Sequence, residues 1–175
     1  MNREFRRSEI VHDLMHIQQK RMVAYEKALK ECCPHDHSVC ELLHGMVEQS
    51  RQSITELRCH TSSESSEPAD RAEIKGDLYR DWPEINYFNA GNSLHEILLC
   101  CGYIEKTTTQ AYRRALEQED ELDIELKQVI YQQWISSSES FQSVYAYLGR
   151  PSAPETGGEE RMPCGFARTG VFASL

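Results

Sequence analysis

From Ser8 to about Cys33 the apolar residues Ile10, Leu14, Ile17, Ala24 and Ala28 return at spacings of three, four and seven, with Lys, Arg, Glu and Gln between them. That period lines them along one face of a long helix. Ser8 followed by Glu9 suits its start, and Pro34 ends it, because the residue before a proline avoids the helical region. The pattern resumes from Ser38 to about His60 with Leu42, Leu43, Met46, Val47, Ile54 and Leu57, and Ser38 with Glu41 reads as a capping box. The few residues between the two helices force them to lie antiparallel.

The next stretch, Thr61 to Asp70, is polar, Ser-rich and contains Pro68, so it reads as a connector. Leu78, Tyr79, Trp82 and Ile85 then give large side chains without long periodicity, which predicts a short helix laid across the others and ending near residues 89–92. Ser93 caps a third long helix to about Glu119, with Leu94, Ile97, Leu98, Cys101, Thr108, Ala111, Tyr112 and Ala115 on one side. A fourth, from about Leu122 to Leu148, carries Leu126, Val129, Ile130, Trp134, Phe141, Val144 and Leu148 inward and stops at Gly149 and Pro151. No stretch alternates as a strand does. The expected fold is therefore all-α: one domain over residues 8–148, built as a ferritin-like four-helix bundle whose two hairpins are joined by a single long crossover containing a short helix. Residues 149–175, rich in Gly, Pro and Ser, read as a disordered tail in which Phe166, Val171 and Phe172 can dock weakly.

Composition narrows the function classes. A charged fraction of 27% and an apolar fraction of 39% suit a soluble domain, and the net charge of -9 disfavours nucleic acid or an anionic membrane surface. No apolar run approaches the roughly 20 residues of a membrane span, and the charged start, Met1 to Ser8, lacks the apolar core of a signal peptide. A cytoplasmic protein with no membrane span is expected. Seven cysteines is an odd number, and Cys32/Cys33 and Cys100/Cys101 are adjacent pairs, so reduced thiols acting as small apolar residues are expected rather than a disulfide framework.

Several strings in one order carry a resemblance. Arg21 with Ala24-Tyr-Glu-Lys-Ala28, then Gln49 to Arg58, then Gly76-Asp-Leu-Tyr-Arg-Asp-Trp82, then Cys101-Gly-Tyr-Ile-Glu105 with Ala111-Tyr112 resemble a bacterial domain-of-unknown-function family of ferritin-like four-helix-bundle proteins, over about residues 10 to 148. The resemblance implies that fold and no assigned activity. The chain departs from the family's pattern in carrying His12 and His16 on the first helix, and in keeping only Glu105 where the third helix often shows two acids before its Tyr.

Chemistry can then be sought on the helices. A di-iron bundle needs a carboxylate from each of two helices and Glu-x-x-His on each of the other two. Here Glu48 is followed three places on by Arg51, and Glu139 by Gln142, so neither motif is present and no cofactor is expected. Stepping seven residues from Leu14, Leu98 and Leu126 reaches Arg21, Glu105 and Gln133, three polar residues on nominally apolar faces. Burying either charge alone costs several kcal/mol, which predicts a mid-core Arg21–Glu105 pair completed by Gln133 with Tyr25 or Tyr112; the alternative is a small rotation of the helices that takes these side chains to solvent.

Two further places can be read as iron or zinc sites. His12 and His16 stand four apart, a spacing that can clamp one ion or merely mark an exposed face. Cys32, Cys33, His35, His37 and Cys40 crowd the first turn, without two separated C-x-x-C or H-x-x-x-H pairs. Tyr79, Arg80 and Trp82 suit either a partner anchor or a cover for the core. No Gly-x-Ser-x-Gly and no phosphate loop occurs. Two functions stand: a non-enzymatic bundle that forms a homo-oligomer and serves an interaction or stress-related role with a partner protein the sequence does not identify, or a degenerate metal-binding relative of ferritin-like proteins.

Overall fold

The computed structural model describes residues 3–32, 36–61, 76–80, 93–118, 120 and 122–149, with the side chains of Cys32 and Arg80 left aside. Among the described residues all regular structure is helical: α1 (Arg3–Cys32), α2 (His37–Arg58), α3 (Asp77–Arg80), α4 (Leu94–Glu117) and α5 (Ile124–Leu148). Of the predicted tail over 149–175, all but Gly149 lies outside the described residues, and so does most of the connector.

Cross-helix hydrogen bonds give the directions. Along α2 and α5, Ser53 meets Gln133, Gln49 meets Ser140 and Ser38 meets Tyr147, so the two run antiparallel. Between α1 and α4, Gln18 reaches Tyr112 and Arg21 reaches Glu105, again antiparallel. Within the α4/α5 hairpin, Tyr112 bonds Gln133 while Gly102 lies beside Val144, Tyr145 and Leu148. The four long helices thus share one core, each flanked by antiparallel neighbours. α2 and α4 then run parallel, so the end of α2 and the start of α4 lie at opposite ends of the bundle.

Helix ends are set by capping, not always by the residue the sequence suggests. Ser93 and Glu96 form the capping box of α4. At α2 the expected box of Ser38 and Glu41 is replaced by Asp36, whose carboxylate accepts from the Ser38 and Val39 amides at 2.9 and 3.2 Å. A carboxylate at the positive end of a helix is the stronger acceptor. Likewise α1 begins at Arg3 rather than Ser8. Its first turns are held from outside: Arg3 donates to the Leu122 carbonyl at 3.1 Å, and Arg7 pairs with Asp123 at 2.8 Å.

The core divides into two apolar clusters. One holds Ile17, Ala24, Ala28, Val39, Leu43, Met46, Ile97, Leu98 and Ile104. The other holds Ile10, Val11, Leu14, Leu57, Leu122, Leu126 and Ile130. Each fully buried Leu or Ile contributes on the order of 1.5–3 kcal/mol by leaving water. Between the clusters lies a belt of buried polar side chains: Gln18, Arg21, Ser50, Ser53, Glu105, Thr108, Gln133 and Ser137. The short α3 bridges the clusters, with Leu78 in one and Tyr79 in the other.

Candidate functional site

The belt is the place where a bundle of this kind can hold chemistry, and each helix supplies part of it. Arg21 is fully buried on α1. Its Nε donates to Glu105 Oε1 at 2.7 Å and its Nη2 to Glu105 Oε2 at 3.0 Å, a side-on pair that engages both carboxylate oxygens. Nη1 donates to Gln18 at 3.2 Å and to Ser50 at 2.9 Å, and Nη2 reaches Gln49 at 2.6 Å. All five guanidinium N–H donors are used. The Tyr25 hydroxyl donates to Glu105 Oε1, and the guanidinium carbon lies 5.3 Å from the Tyr25 ring centre. Burial pushes the Arg21 pKa down, but the charge of Glu105, the neighbouring Tyr25 and the hydrogen bonds to them together outweigh it and the net shift is upward, so the guanidinium stays charged.

A second string of bonds closes the layer. Gln18 donates to the Tyr112 hydroxyl at 2.8 Å, which donates to Gln133 Oε1 at 2.7 Å. Gln133 Nε2 donates onward to the Ser53 carbonyl at 3.2 Å and to Glu56 at 2.8 Å. Burial raises the pKa of both tyrosines, and for Tyr25 the neighbouring Glu105 charge raises it further, so both hydroxyls keep their protons and serve as donors. Their rings pack into the apolar clusters while the hydroxyls enter the belt. The structure therefore brings Arg21, Tyr25, Glu105, Tyr112 and Gln133 together. The ion pair is neutral overall and hydrogen-bonded on every side, a requirement for burying two charges without a large penalty. Thr108 is the exception, its buried hydroxyl having no partner one turn beyond Glu105.

The metal candidates are placed apart from this belt. His12 is exposed and its Nδ1 sits 2.7 Å from the Ser8 carbonyl, whereas His16 is half-buried with its ring edge-on to Tyr79, centroids 4.5 Å apart. His37 is exposed beside Glu41 at 3.3 Å, and Cys40 is buried and not disulfide-bonded. Cys33, His35 and Trp82 lie outside the described residues, and nothing is described of the Cys32 and Arg80 side chains. Among the described residues no three His, Cys, Asp or Glu gather as a metal would require. Glu48, Arg51 and Glu139 are exposed on their helices, facing away from the centre where ligands would be needed. Tyr79 is buried in the core, so it covers the bundle.

Two features escaped the sequence. Cys40, Cys59 and Cys101 are not disulfide-bonded, as expected, but Cys100 is, which corrects the expectation of reduced cysteines. Adjacent helical residues point about 100° apart, so a neighbour is a poor bonding partner yet leaves each thiol free to bond elsewhere. The other is Asp13. Its carboxylate, buried on α1, accepts from the Gly76, Leu78 and Tyr79 amides at 2.9, 3.0 and 3.1 Å and so fastens the crossover to the first helix. Desolvation raises its pKa despite these three donors. An i to i+3 step from Ile10 already marks Asp13 as core-facing, but nothing local shows which amides it meets. No protein-family model, curated protein or solved structure matches the chain, so the belt's own geometry carries the functional reading.

Proposed function

We propose that this protein is a non-enzymatic, ferritin-like helical bundle that self-associates and acts through interaction, with a centre used for architecture rather than metal chemistry. The carrying observation is Arg21. Its guanidinium occupies the middle of the bundle with all five donors engaged, and both oxygens of Glu105 already accept from Arg21. A divalent ion brought there would meet a fixed positive charge, a repulsion on the order of 4 kcal/mol per unit charge at about 4 Å. It would also have to strip Glu105 of the bonds that make its burial tolerable. The ordered strings resemble those of a bacterial family of ferritin-like bundles, and that resemblance, with the antiparallel neighbour relations above, supports the proposed topology.

No described helix is long and apolar enough to cross a membrane. The expected cytoplasmic setting sits against the disulfide at Cys100, since reducing compartments keep structural thiols free.

The test is metal analysis of untagged native protein, followed by aerobic incubation with ferrous iron. We expect no stoichiometric iron or zinc and no oxidation above the protein-free rate. Two irons per chain, lost on Glu105→Gln substitution, would overturn the reading in favour of a metal-binding relative.

A further inference from the structure

Beside its core face α5 carries a second apolar stripe, whose inner edge, Trp134 and Leu148, leans on the core clusters and whose outer edge is Tyr131 and Tyr145. Tyr131, Trp134, Ser138, Phe141, Tyr145 and Leu148 follow one another at steps of three, four, three, four and three, the spacing of a coiled-coil seam. Tyr131 and Tyr145 are 47% and 51% exposed, while Trp134, Ile135, Phe141 and Leu148 are half-buried along the same flank. The rings are already ordered in pairs: Tyr131 with Trp134 at 5.8 Å and Phe141 with Tyr145 at 4.5 Å between centroids. The outer edge of this stripe, with two aromatic rings about half exposed, is apolar surface that the bundle itself leaves uncovered.

Charge decides what can cover it. The molecule carries a net charge of -9, so two copies repel over most of their surfaces. Between Lys127 and Gly149 the only charged residue is Glu139, in a chain that is 27% charged. Glu139 lies about 100° around the helix from Ser138, off the seam. Interface cores show this same depletion of charge and enrichment in Tyr, Trp and Phe.

We propose that the outer flank of α5 is the surface through which two copies of this chain meet, helix against antiparallel helix. The inference rests on the self-association proposed above and gives it a place. With the two-fold axis between residues 139 and 140, Tyr131 faces Leu148 of the second copy, Trp134 faces Tyr145, and Ser138 faces Phe141. The small Ser138 leaves room for the ring opposite, so large and small side chains alternate across the contact. The two half-exposed tyrosines with the smaller exposed parts of Trp134, Phe141 and Leu148 amount to roughly 350 Å² per copy, given about 150–250 Å² for each whole aromatic side chain. That is below the usual size of a specific interface and implies a weak, reversible dimer.

Sedimentation velocity of the full chain over a range of about 1 µM to 1 mM tests this, with circular dichroism as the folding control. Tyr131→Glu with Tyr145→Glu should leave the helical signal unchanged and weaken dimerisation at least 100-fold, and Val23→Glu on α1 should leave the dimer intact. Gln142→Glu, at an exposed position beside the seam, should weaken dimerisation about tenfold even if the tyrosine variant fails to fold. A wild-type dimer that neither α5 variant weakens would overturn the α5 surface while leaving self-association standing. A wild-type chain that stays monomeric at 1 mM would overturn both.

Discussion

Arg21 stands seven residues after Leu14, where another Leu would extend the stripe, and its side chain is as buried as the Leu it replaces. A lone guanidinium there would be intolerable, so its tolerance depends on Glu105 and the ring of neutral acceptors. Removing one partner should therefore cost more than removing both. Arg21→Met leaves the Glu105 carboxylate buried with only the Tyr25 donor, and should lower stability by about 3–5 kcal/mol. Adding Glu105→Leu should recover more than half of that loss, because no charge is left in the core. Chemical denaturation of the two single variants and the double variant checks this, and additive losses would mean that the pair does not act as a unit. Across four helices such a pair also sets register, since a shift of one turn in any helix would strand a charge or an amide.

At the scale of elements, the described part of α3 spans four residues, too few to be stable as a helix by themselves. What fixes it is a side chain from another helix, Asp13, taking the place of a local cap. Gly76 makes the approach possible: an added Cβ would fall on the Asp13 carboxylate and lie 2.7 Å from Glu9 Cγ. Asp13→Ala should leave three amides without their acceptor and cost about 2–4 kcal/mol, given 1–3 kcal/mol for each buried group left unpaired and some access of water. Amide exchange at Leu78 and Tyr79 should speed up in that variant more than at Ile104 or Ile130. Equal acceleration at all four would show that Asp13 supports the whole core rather than the crossover.

For the whole molecule, acid stability follows from how the ends are tied. The Leu126 amide lowers the Asp123 pKa first, and the Arg7 contact lowers it further, against a smaller upward push from burial. A depressed folded pKa means that the stabilisation is complete above the ordinary Asp value of about 4 and is lost as pH falls through the folded value. Asp13 acts with the opposite sign: its pKa is raised by burial, so it costs stability above that raised value, and the cost fades in acid. Asp123→Asn keeps an acceptable cap but removes the charge. Its denaturation midpoint should fall less steeply than wild type below pH 4, and parallel acid limbs would show that the tie between α1 and α5 carries no pH dependence.

Periodicity alone determined the helical content and the four long segments, because an amphipathic stripe is a local property that survives any arrangement of its neighbours. It also pointed to Arg21, Glu105 and Gln133 as core positions, because a step of seven residues keeps a side chain on the face already marked by Leu14, Leu98 and Leu126. Only the tertiary structure decided who meets whom. That α1 reaches back to Arg3 depends on Leu122 and Asp123, that Asp13 holds the crossover depends on amides more than sixty residues away, and that Cys100 is bonded depends on a thiol brought near by folding. Such contacts join groups distant along the chain, and the pattern of a segment holds no record of the partner that packing will set against it.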